Sequence, residues 1–159
     1  MCIRDRPNTS AAKSVAQRFG AAVGSAADLD RKSLGRIVFR DAEERRWLET
    51  LVHPVVRDRF QQELVRHSQA PVVVLMIPLL FETGLEALCS EVWLVDCEPQ
   101  QQLERLMRRS GLNEADAQAR LAAQWPLSRK RPLADRVIDN RGSADALADA
   151  VNRCDRPSL

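Results

Sequence analysis

A continuous apolar run rich in β-branched residues, Val72-Val73-Val74-Leu75-Met76-Ile77, constrains the fold of this 159-residue chain more than any other feature. No polar residue alternates within it, so it reads as a strand covered on both faces, the kind that parallel sheets use. Glu91-Val92-Trp93-Leu94-Val95-Asp96 reads as a second such strand, and Arg136-Val137-Ile138-Asp139 as a shorter third. Two helical patterns separate the last two. One runs from Pro99 to about Arg109 with Leu103, Leu106 and Met107 facing inward; the other runs from Asn113, with Asp116 three residues on, to about Trp125. Ser143 opens a last helix through Leu147, Ala148 and Val151. Strands alternating with helices predict an α/β fold with a parallel sheet.

The first seventy residues have a helical period instead. Thr9 to Phe19 reads as a short helix stopped by Gly20, followed by a Gly/Ala/Ser-rich turn and a second helix over Asp30–Phe39 with Leu34, Ile37 and Val38 on its apolar side. Asp41 with Glu44 resembles a capping box and opens a long amphipathic helix. Trp47, Leu48, Leu51, Val52, Val55, Val56, Phe60 and Leu64 form its expected buried stripe. Pro54 is expected to interrupt it, because proline removes a backbone donor and crowds the preceding turn.

Composition narrows the function classes. Hydrophobic residues make up 45% and charged residues 29%, which suits a packed core. A net charge of +2 gives no reason to expect nucleic-acid or membrane binding. The apolar run from Val72 is broken by Pro78, short of the roughly 18 residues a span needs. Cys2, Cys89, Cys97 and Cys154 show no CxxC spacing, so reduced thiols in a cytoplasmic protein are expected, with no metal site. The opening Met1-Cys2-Ile3-Arg4-Asp5-Arg6 resembles translated adapter sequence, and residues 1–8 are expected to be non-native or disordered.

Five stretches, in order, carry a family resemblance: Leu29 to Phe39; Leu51-Val52-His53-Pro54-Val55-Val56-Arg57; Ile77-Pro78-Leu79-Leu80-Phe81-Glu82; Gln102 to Gly111; and Asp135-Arg136-Val137-Ile138-Asp139-Asn140. Together they resemble the dephospho-coenzyme A kinase family. The resemblance implies a P-loop kinase-like three-layer α/β/α fold with a helical substrate domain and a lid. It implies ATP-dependent phosphorylation of the ribose 3′-hydroxyl of dephospho-coenzyme A, with ATP and Mg²⁺ as phosphate donor. It also divides the chain into a helical acceptor-binding region over 9–69 and the remainder of the core α/β domain over 70–155, including a lid at 108–131.

The family opens with a strand, a Gly-rich loop ending in Gly-Lys-Ser/Thr, and an Asp-x-Asp motif holding a catalytic base. No G-x-x-x-x-G-K-[ST] occurs in these 159 residues. The expectation is therefore an N-terminally truncated member without its first strand, P-loop and catalytic residues, inactive alone and poorly stable or aggregation-prone. In the implied fold that strand lies between 72–77 and 92–96.

The surviving motifs supply candidate site residues. His53 and Pro54 are expected to face the acceptor, against the plainer reading of a kink whose His caps or packs. Arg57, one turn on, is weighed as a contact to a substrate phosphate against a surface pair with an acid such as Asp58. Phe81 and Glu82, where a strand exits at its ligand edge, are read as a substrate wall. Arg105 and Arg109 share a helix face and are expected to contact phosphate, while Asn140 is read as the adenine-side loop or an ordinary turn. Arg120, Arg129 and Arg131 are read as a solvated face, and Asp96 equally as a ligand-edge acid or a solvated strand terminus. Two rival functions stand beside this one: another small-molecule or nucleoside-phosphate kinase of the same fold, and a non-catalytic coenzyme A-binding relative.

Overall fold

The computed structural model describes residues 9–154, the side chain of Cys154 excepted, so expectations about residues 1–8 and about the Cys2 and Cys154 thiols lie outside the described residues. The chain divides into two compact units, Met1–Met76 and Ile77–Leu159.

The first unit is helical. Helix α1 (Ser10–Phe19) starts where the Thr9 hydroxyl accepts from the Ala12 N–H at 3.1 Å, and it ends at Gly20 with φ +52°. A small antiparallel hairpin follows, β1 (Gly24–Ser25) with β2 (Asp28–Leu29), where a plain turn was expected. Gly24 makes it possible: φ is +81°, and a Cβ there would sit 2.6 Å from the Asp28 carbonyl oxygen. Helix α2 (Arg31–Arg40) is capped by Asp30, whose carboxylate accepts from the Lys32 and Ser33 N–H groups. Asp41 caps helix α3 (Ala42–Arg66) in the same way through Glu43 and Glu44. Glu44 does not close a reciprocal box; its carboxylate takes two hydrogen bonds from Arg18, at 2.6 and 3.0 Å. Arg18 also lies over the Trp47 ring, which meets Phe19 edge-on at 5.7 Å.

Two expectations fail on α3. The helix runs unbroken through Pro54, because one lost hydrogen bond, at about 3 kcal/mol, is spread over a 25-residue element with its own cap. Its apolar stripe is not a core: none of its residues is buried, and Val55 is 42% exposed. Within this unit, α1 and α2 are the helices that pack on it.

Residues 72–77 form no strand, and no described residue pairs with them in a ladder. Val72, Val74 and Met76 are 73%, 79% and 88% exposed. A strand is held by its ladder, and β-branched composition without a neighbour does not create one.

The second unit keeps the α/β pattern. Strands β3 (Trp93–Asp96) and β4 (Arg136–Asp139) pair in parallel, Trp93 opposite Arg136 and Asp96 opposite Asp139. Asp135 holds the start of the pair: its carboxylate accepts from the Val92 N–H, and Val92 O accepts from the Asp135 and Arg136 N–H groups. The connection carries helix α4 (Pro99–Ser110), stopped by Gly111 at φ +59°, and helix α5 (Glu114–Ala122), capped by Asn113. A short helix not read from the sequence, α6 (Leu127–Lys130), precedes β4, and α7 (Ala144–Cys154) is the last element among the described residues. Val95 and Val137, on opposite faces of the pair, are 50% and 47% exposed, so double coverage is not realised there.

Candidate active site

Within the second unit, polar groups collect at the carboxyl ends of β3 and β4, the edge where open α/β sheets bind ligands. Asp96 ends β3 in a buried position and receives a two-pronged ion pair from Arg131, Nε at 2.9 Å and Nη2 at 3.1 Å. The Asp96 carbonyl accepts from the Asn140 N–H at 2.8 Å, and the Asn140 carbonyl accepts from Arg105 Nη1 at 2.7 Å. Arg141 turns back onto Asp139, while its own carbonyl accepts from Gln101. The arginines at this edge come from α4, from the end of α6 and from the loop after β4.

Arg141 determines the electrostatics of the β4 terminus. Its side-chain and backbone hydrogen bonds hold the Asp139 carboxyl down at about 2, from an ordinary 3.8. A depressed folded pKa contributes stability that is complete above the unfolded value and lost as pH falls through the folded one. The melting temperature of the chain is therefore expected to fall between pH 4 and 2, and Asp139→Asn should flatten part of that slope. Thermal melts of both proteins across this range check it; identical slopes would contradict it. Burial pushes the Cys89 and Cys97 thiols up, which suits unreactive packing residues rather than nucleophiles.

A second cluster ties the turn after Ile77 to the segment around α6. Lys130 is 6% exposed, and its Nζ lies 2.7 Å from Glu82 Oε1. The same oxygen accepts from the Trp125 N–H at 2.9 Å. Oε2 of Glu82 is buried without a hydrogen-bond partner among the described residues. Arg129, beside Lys130, stacks its guanidinium over Trp125 at 3.4 Å.

The predicted residues fare unevenly. Arg105 and Asn140 are brought into direct contact at the strand edge. Arg109 is exposed one turn further along α4, and Phe81 is half-buried in the turn before Gly84. Glu82 is not an open wall carboxylate, since Lys130 and Trp125 already engage it. Arg131 and Arg129 are not a loose solvated face; each has a defined partner. In the first unit, His53, Pro54 and Arg57 lie on α3, with His53 half-buried and the other two exposed. Sequence reading missed Lys130, Arg131 and Asp96 as a set, because their partners lie 35 or more residues away. Asp96 was the one available signal, as an acid ending a β-rich run.

The described residues do not fit a magnesium–nucleotide phosphate site. They contain no Gly-Lys-Ser/Thr loop, and no group of three or more His, Cys, Asp or Glu side chains among them is placed to hold a metal. The basic groups at the edge are each bonded to protein oxygens.

Parallel strands joined through helices, with arginines at their carboxyl edge, define an α/β class protein with a ligand-type sheet edge. Comparison with known proteins narrows this further. The family described as dephospho-CoA kinase matches residues 5–146, and the chain belongs to that family. A dephospho-CoA kinase of Parasynechococcus marenigrum is 66% identical over 148 residues, 93% of this chain and 75% of the relative. One from Prochlorococcus marinus is 53% identical over 149 residues, 91% of this chain and 73% of the relative. A Thermus thermophilus crystal structure aligns with a TM-score of 0.68 at 40% identity, covering 89% of this chain and 73% of that one. A dephospho-CoA kinase from Campylobacter jejuni aligns with a TM-score of 0.56 at 29% identity over the same shares. No helix among the described residues is long and apolar enough to cross a membrane.

Proposed function

We propose that this chain supplies the acceptor-binding helices and the arginine-bearing sheet edge of a dephospho-coenzyme A kinase, which transfers the γ-phosphoryl group of ATP to the ribose 3′-hydroxyl. The observation that carries the reading is the joined set Arg105, Asn140, Asp96 and Arg131 at the carboxyl edge of β3 and β4. Phosphoryl transfer depends chiefly on holding groups in line and neutralising charge on the moving phosphoryl oxygens. Guanidinium groups fixed at such an edge are suited to that work, and Arg109 extends the same helix face toward solvent. Asn140 is the adenine-side residue in this reading.

His53, Pro54 and Arg57 are proposed to meet the acceptor. His53 and Arg57 are one helical turn apart on α3. Phe81 is proposed as an apolar wall, and Glu82 is reassigned from the substrate to the protein scaffold. ATP with Mg²⁺ is the proposed donor, and its phosphate cradle is proposed to come from a P-loop segment outside these 159 residues. No chemical step is assigned to the chain's own residues through that donor.

Joining this chain to the P-loop segment of the Parasynechococcus relative tests the reading. The product assay should show coenzyme A formed from dephospho-coenzyme A and ATP. Phosphorylation of a nucleoside monophosphate or shikimate instead would identify a different kinase. Tight acceptor binding with no phosphorylation of any acceptor would favour a non-catalytic coenzyme A binder.

A further inference from the structure

We propose that Glu82 and Lys130 are positioning residues: their buried contact latches the 125–131 segment to the Pro78–Gly84 turn and so fixes where Arg131 stands at the sheet edge. The inference deepens the kinase reading above and rests on it.

One carboxylate oxygen holds α6 from both sides. Oε1 of Glu82 accepts from the Trp125 N–H, two residues before the helix, and from Lys130 Nζ at its last residue. Such a short helix has too few internal hydrogen bonds to hold its own position, so outside anchors must locate it. Successive helical residues point about 100° apart, so Arg129, Lys130 and Arg131 leave the backbone in different directions. Arg129 turns back over Trp125, Lys130 goes inward, and Arg131 reaches Asp96. Lys130 is the buried one of the three, while the Arg131 side chain is 45% exposed. The arginine at the ligand edge is thus set from behind by its neighbour, and its free face stays available to a ligand. Charge-assisted hydrogen bonds between buried partners are short and directional, which suits a fixed pivot.

Glu82→Gln keeps the shape and an acceptor for Trp125 but removes the charge facing Lys130. Amide hydrogen exchange on the 159-residue chain should speed up about tenfold more over 124–133 than over Trp93–Asp96 and Arg136–Asp139. Glu82→Asp, which keeps the charge, should give a smaller increase over the same residues. Arg131→Ala acts beyond the latch and should leave exchange at 124–130 as it was. Unchanged exchange over 124–133 in Glu82→Gln would overturn the proposal. So would an increase shared equally with both strands in Glu82→Gln and Glu82→Asp, the mark of a general loss of stability. None of these readouts depends on kinase activity, so a failed latch and a failed kinase reading are distinguishable.

Discussion

Replacing Val74 and Met76 with lysine will raise the soluble, monomeric yield of the 159-residue chain severalfold. The two residues are 79% and 88% exposed, beside Val72 at 73%. An extended β-branched run without a ladder offers unpaired N–H and C=O groups to any similar segment, and proteins guard such edges with lysine. Two charges should make edge-to-edge pairing between copies unfavourable. Light scattering and size exclusion of wild type and double variant check this. The sign should reverse once a neighbouring strand is supplied, as in the P-loop-joined protein, because the lysines would then enter a covered strand. A double variant that is no more soluble, or less so, in the 159-residue chain would mean that 72–77 is already paired in solution.

Glu82→Ala should cost about 3–5 kcal/mol, a large part of the roughly 5–15 kcal/mol a domain has. Both side chains of the pair are largely withdrawn from water, at 13% and 7% exposure, so removing the carboxylate leaves an ammonium group without a counter-charge. The Trp125 N–H loses its acceptor as well, worth about 1 kcal/mol. Lys130→Met alone should be similarly harmful, since it strands the carboxylate whose second oxygen already lacks a partner. The double variant Glu82→Leu with Lys130→Met should recover most of the loss, because apolar replacements of a buried pair are often neutral. Urea unfolding of the four proteins gives the cycle; additive losses would contradict the pairing.

What could be read in advance follows the range of the interactions. Asp30, Asp41 and Asn113 cap their helices through N–H groups two or three residues on, and such signals lie within a few letters of sequence. Arg136–Asp139 was readable as a strand because its apolar run is bounded by Asp135 and Asn140. The 72–77 run reads as a covered strand but forms none, because a ladder depends on a partner that no local pattern supplies. Arg131 looked like one more surface cation until the fold brought Asp96 to it across 35 positions. Lys130 had the same ambiguity, since nothing nearby in sequence marks it as the buried member of a basic triplet. Pro54 misled in the opposite direction: a local rule predicted a break, and the rest of the long helix outweighed it. Of the candidate site, motif order singles out the arginine of α4 and the asparagine after β4 as proposals, and it gives no sign of the acid–base pairs behind them.

Under the proposed function, these residues hold the acceptor and sheet-edge parts of a phosphotransferase and lack a Gly-Lys-Ser/Thr loop to cradle the nucleotide phosphates. A single clamp residue of that kind is worth on the order of 10³–10⁵ in rate, so a chain lacking the whole loop should show no measurable turnover. The direct measurement is a steady-state assay of the purified 159-residue chain with dephospho-coenzyme A, ATP and Mg²⁺, scored by mass for the added phosphoryl group. The expected result is no product above the enzyme-free control, and ATP-dependent formation of coenzyme A by this chain alone would contradict the account.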